Sequence, residues 1–217
     1  MNLKNFLFAA FATVALGVSA KAQTTVKDLF NSETPVTYFG IDFSQLRLIG
    51  DEAANEDDIR DKQFPSINDL VVNEPKKFKL ADAFHKSRVD TDLEEVHKKN
   101  AKVDTDKLKS SKSADFHRLK PEDVNAVVKG YNFGDYKGLG VLLVAEAFSK
   151  TEKSASYYVT IIDLSTKKVL ITERVVGEVG RFGGFGFRNY WGGTVKEVLE
   201  KVEKTHYKAW KSKYGGE

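Results

Sequence analysis

Val141-Leu142-Leu143-Val144-Ala145-Glu146-Ala147-Phe148 is the stretch on which the reading of the fold turns. It is apolar at every position but Glu146, as in a central strand covered on both faces. Two further runs follow it, Tyr157 to Leu164 and Val169 to Val176, both rich in β-branched residues. Asp163-Leu164-Ser165-Thr166-Lys167-Lys168 reads as the turn between them. The three runs predict an antiparallel meander. Just upstream, Pro121 to Lys129 is a helix pattern with Pro at its start, Glu122 and Asp123 in its first turn and Gly130 after its end. Val124, Val127 and Val128 form its apolar stripe.

After the last strand-like run comes Arg181-Phe182-Gly183-Gly184-Phe185-Gly186-Phe187-Arg188-Asn189-Tyr190-Trp191-Gly192-Gly193, with five glycines and five aromatics in thirteen residues. Then Thr194-Val195-Lys196-Glu197 reads as a capping box opening the final helix, with Val195, Val198, Leu199 and Val202 as its buried stripe. The aromatic-glycine stretch supports three readings. Its rings pack inward and its glycines serve a strand-to-helix turn. Or its aromatics and arginines grip a partner, being the residue types enriched in interface anchors. Or exposed rings stack on a sugar-like ligand. The candidate binding residues are Arg181, Phe185, Phe187, Arg188, Tyr190 and Trp191.

Upstream, Thr34 to Ser44 alternates as a half-buried strand, and Gly40 in its middle suggests a bulge or close backbone approach. Asp51 to Lys62 carries six carboxylates and two basic residues. It lacks the glycine and terminal glutamate of an EF-hand loop and reads as a solvated face. Ser66 opens a short helix pattern, Pro75 a second, and Thr91-Asp92-Leu93-Glu94 a third through a capping box. Lys107 to Ser113 reads as a polar connection. The predicted class is therefore α+β: an antiparallel or mixed sheet of one N-terminal strand plus a three-strand C-terminal meander, with helices packed on it and a C-terminal helix.

The chain opens with Lys4, an apolar run from Phe6 to Val18 and Ala20-Lys21-Ala22, the pattern of a cleavable export signal. A signal at 1–22 and a single domain at 23–217 are expected, with the protein in the periplasm or outside the cell. The absence of cysteine excludes a lipoprotein anchor and any disulfide framework. The formal charge of +3 falls to about +1 without Lys4 and Lys21, so the composition does not suggest nucleic acid.

The sequence carries no G-x-S-x-G elbow, no P-loop and no H-E-x-x-H, and His85, His97, His117 and His206 are scattered. No cofactor, metal site or catalytic residue is predicted. The first expectation is a non-catalytic exported protein that binds another envelope component. The alternatives are a hydrolase using Asp42, Glu146 or acids of the 51–61 segment, and a small-ligand binder with a pocket between sheet and helices.

Pro121-Glu122-Asp123-Val124 with Val127, Val128 and Tyr131, then a strand, then the hairpin Tyr157-Tyr158-Val159-Thr160-Ile161-Ile162-Asp163 to Val169-Leu170, resembles the periplasmic α/β modules of bacterial envelope proteins. The curli-secretion lipoprotein and the N-terminal domain of the Tol-system β-propeller protein are of this type. The resemblance covers about half of the chain after the signal and rests on element order. It implies a non-enzymatic assembly or binding role. The chain departs from the lipoprotein members in lacking the anchoring cysteine.

Overall fold

The computed structural model describes residues 24–180 and 185–216. The expected signal at 1–22, with Arg181 and Phe182, lies outside them. The strands are β1 (Val36–Asp42), β2 (Arg47–Ile49), β3 (Val89–Thr91), β4 (Lys109–Ser110), β5 (Leu139–Ser149), β6 (Ser154–Asp163) and β7 (Lys168–Glu178). The α-helices are α1 (Glu56–Asp58), α2 (Phe64–Asn73), α3 (Pro75–Phe78), α4 (Leu80–Ala83), α5 (Glu94–Asn100), α6 (Pro121–Lys129), α7 (Gly186–Lys201) and α8 (Tyr207–Tyr214).

The sheet corrects the α+β expectation of one N-terminal strand plus a three-strand meander. Among the described residues it has seven strands; every pairing along the path β3-β1-β5-β2-β4 is parallel, and only β5–β6 and β6–β7 are antiparallel. The result is a mixed α/β sheet whose N-terminal part supplies four strands. β2, β3 and β4 span two or three residues each, too short to show a period of two. Their pairing comes from tertiary placement alongside longer strands.

β5 and β6 are buried at every residue. Along β5, Val141, Leu143 and Ala145 face one cluster, with Ile67 and Val71 of α2 and Trp191, Val195 and Val198 of α7. Leu142 and Val144 face the other, with Val96 of α5 and Val124 and Val128 of α6. Helices therefore cover both faces, which is why the run around Val141 shows no polar alternation.

The two crossovers that matter lie on opposite faces. The chain from β1 to β3 carries α2 on the first face, and the chain from β3 to β5 carries α5 and α6 on the second. β1 pairs with β3 on one side and with Leu139 to Val144 of β5 on the other, up to its carboxyl end at Asp42. There β1 leaves the sheet at Phe43 and the chain re-enters as β2 beside Ala147 to Ser149.

Beyond Tyr38, no strand among the described residues pairs with β1 on its β3 side, and two asparagines replace the ladder there. Asn68 of α2 accepts from the Ile41 amide at 2.6 Å and donates to the Ile41 carbonyl at 3.0 Å. Asn100 of α5 donates to the same carbonyl at 2.9 Å and accepts from the Phe43 amide at 2.8 Å. Helices from both faces thus satisfy one buried strand edge.

The final helix begins at Gly186, eight residues before the capping box predicted at Thr194. Thr194 is interior to α7. Its hydroxyl donates to the Trp191 carbonyl at 2.6 Å and stands 2.9 Å from the Tyr157 hydroxyl. Gly192 and Gly193 weaken local helix propensity. Packing overrides it: a Cβ on Gly192 would meet Leu70 of α2 at 2.7 Å, so the glycine sets the close approach of the two helices. The capping box predicted at Thr91 is also displaced. Thr91 ends β3, and the Asp92 carboxylate accepts from the Glu94 amide at 2.9 Å.

Lys86 ties the start of the described chain to this body. Its ammonium is buried and donates to the carbonyls of Asp28 at 3.0 Å and Asn31 at 2.7 Å. Burial pulls its pKa down from the ordinary 10.5 to about 8. Between those values the unfolded chain binds more protons than the folded one, so this group makes stability rise with pH from about 8 to about 10.5. Urea unfolding at pH 7.5 and 9.5 should therefore show the wild type gaining on Lys86→Met as pH rises. An unchanged gap between the two proteins would refute the assignment.

Candidate functional site

The start of α7 holds most of the predicted binding residues, and it divides them. Trp191 is 1% exposed and stacks on Phe148 of β5 with centroids 4.6 Å apart. It is a core residue, and its indole N–H is buried without a partner among the described residues. Phe187 and Tyr190 are half-buried and flank it edge-on, at 6.2 and 4.8 Å. These three, with Gly186 and Lys150, line a groove of about 460 Å³. Phe185 is 100% exposed and Arg188 is exposed; neither lines the groove. Arg181 lies outside the described residues. Lys150 was not legible as a site residue. The end of β5 brings it to the groove, and its ammonium pairs with Asp51 at 2.8 Å.

A second, larger depression lies where β1 leaves the sheet. It has a volume of about 690 Å³ between α5 and α6, with Ser44 and Gln45 of the β1–β2 link at its base. Asp42 lies beneath it, fully buried. The Asp42 carboxylate accepts from the Ser44 amide at 2.8 Å and from the Tyr131 hydroxyl at 2.5 Å. Burial, reinforced by the Asp42 charge, holds the Tyr131 phenol well above its ordinary pKa. Tyr131 is therefore a donor throughout the physiological range. The Lys99 ammonium sits 4.8 Å from the centre of the Tyr131 ring, a cation–π contact. Both sites fall in the size range of ligand pockets.

Glu146, the other candidate acid, does not line this cleft. It is fully buried; one carboxylate oxygen accepts from the Leu119 amide at 2.6 Å and the other from Arg174 Nε at 2.6 Å. Arg174 also donates to the Phe116 carbonyl and lies over the Phe116 ring. The pair clamps the 116–119 segment to the sheet. Asp42 and Glu146 are thus each tied to structural donors and do not oppose one another across the cleft. In the 51–61 segment, Asp51 pairs with Lys150, Glu56 with Lys109, and Asp57 and Asp61 with Arg60.

Among the described residues no cluster of three or more His, Cys, Asp or Glu is placed to hold a metal ion. No helix among them is long and apolar enough to cross a membrane. Compared with models of known protein families and with curated proteins, the chain matches none.

Proposed function

We propose that this chain is a non-catalytic, exported binding protein that holds another protein of the cell envelope through the start of α7. The observation that carries the reading is the contrast across the N-terminus of α7. Trp191 anchors α7 to β5, while Phe185 is wholly exposed and Phe187 and Tyr190 border an open groove. A fully exposed phenylalanine at the N-cap of an anchored helix offers apolar area to a partner, and its side chain has few rotamers to lose on binding. The signal-like N-terminus and the resemblance to envelope modules support the setting. The ties of Asp42 and Glu146 to structural donors weigh against the hydrolase alternative.

The test is Phe185→Ala with Arg188→Ala, two exposed positions whose loss leaves the core intact. Retention of an envelope protein on the immobilised variant should fall at least tenfold, with the melting temperature within about 2 °C of wild type. Equal retention by both proteins would overturn the proposal. Trp191→Ala is unsuited to the question, because removing a fully buried indole costs about 3–5 kcal/mol on its own.

A further inference from the structure

We infer that the cleft at the carboxyl end of β1 is a binding site for a small oxyanion, a phosphate or carboxylate group, held by the ammonium groups of Lys99 and Lys102. Three features of the cleft converge on this.

The first is its place. The cleft opens between α5 and α6 at the gap where β1 has left β5 and β2 has not yet joined it, so the β1–β2 link, with Ser44 and Gln45, lines it in place of a paired strand.

The second is how its charges are committed. Three lysines and three carboxylates line it: Lys98, Lys99, Lys102, Asp42, Glu95 and Asp123. Each carboxylate is engaged by hydrogen-bond donors of the fold. Asp42 is held by Ser44 and Tyr131, Glu95 accepts from the Asn132 amide at 3.3 Å, and Asp123 from the Lys120 amide at 2.9 Å. Lys98 is paired with Glu94. Lys99 and Lys102 make no ion pair among the described residues, although Glu95 and Asp123 line the same cleft. The dipole of α5 accounts for lysines near its C-terminus, but not for two left unpaired in a cleft that also contains carboxylates.

The third is preorganisation. Lys99 is half-buried and rests on the Tyr131 ring, which is itself fixed by its bond to Asp42. A lysine held in this way loses less side-chain freedom on meeting an anion than a free one does. The buried Asp42 charge disfavours anions, so a single oxyanion should bind weakly, and a ligand that also fills the Ala126–Val127 wall more tightly.

The experiment is a titration of the purified protein with inorganic phosphate, and separately with acetate, at constant ionic strength, followed by amide chemical shifts. Saturable shifts in Ser44, Gln45 and the α5 and α6 residues of the cleft are expected with at least one anion. Lys99→Gln with Lys102→Gln should weaken that binding at least tenfold. Lys208→Gln, which removes an exposed lysine of α8 outside the cleft, should change it less than twofold. Saturation by phosphate alone assigns a phosphate ligand, and by acetate alone a carboxylate. Shifts that fail to saturate with either anion, or equal affinity in the double variant, would overturn the inference. This site and the α7 surface share no lining residue, so either can fail without the other.

Discussion

Gly40→Ala is expected to lower the melting temperature by roughly 10–20 °C, among the largest single effects in the molecule. Gly40 stands at φ +90 in the β1 bulge, where an L side chain is strained by about 1–2 kcal/mol. A Cβ there would also meet Asn68 Oδ1 at 2.6 Å and Leu93 and Val96 at 2.9 Å each. Overpacking of this kind costs about 1–3 kcal/mol. The nearest atom is the one that accepts from the Ile41 amide, so displacing Asn68 also orphans a buried donor, at about 1–3 kcal/mol more. Those contributions together reach about 3–8 kcal/mol, a large share of the stability of an ordinary domain. Gly134→Ala is the control. It too has positive φ, at +55, but nothing lies within 4 Å of its Cβ position, so only the backbone strain applies. Paired thermal melts decide the matter; equal losses in the two variants would show that φ alone, and not the meeting of α2 and α5 at the β1 edge, makes Gly40 necessary.

Arg174→Met should cost about 3–5 kcal/mol, because it strands the Glu146 carboxylate in a fully buried position. Adding Glu146→Gln should recover a large part of the loss at pH 7, since the glutamine oxygen can still accept from the Leu119 amide. Denaturant unfolding of the single and double variants provides the measurement. A deficit not relieved by Glu146→Gln would mean that Arg174 acts only through its packing and its bond to Phe116.

Both predictions rest on residues whose roles the sequence shows in outline only. Gly40 breaks a clear strand alternation, so an irregularity there is legible. That Asn68 and Asn100 supply the missing edge is not, since they lie in separate helices 28 and 60 positions further on. Glu146 stands out as the one charge in an apolar run, yet its partner Arg174 sits two strands away. The candidate binding residues follow the same rule. Their density of aromatics and glycines marks α7's start as unusual, but residue type cannot tell the core indole of Trp191 from the bare ring of Phe185. The Lys99–Lys102 cleft left no motif, because its lining comes from β1, α5 and α6.

By itself the sequence determined the long elements: α6 between its proline and glycine, and β5, β6 and β7 from runs too apolar and β-branched to be anything else. These depend on periodicity, capping and turn chemistry, which act within a few residues of one another. The tertiary structure alone decided that the sheet is largely parallel on its N-terminal side, that Gly192 and Gly193 lie in a helix, and that a cleft forms where β1 stops. Those depend on contacts between distant segments. Strands of two or three residues, a glycine pressed against Leu70, and an edge closed by two asparagines gain their stability only when the rest of the chain is already in place.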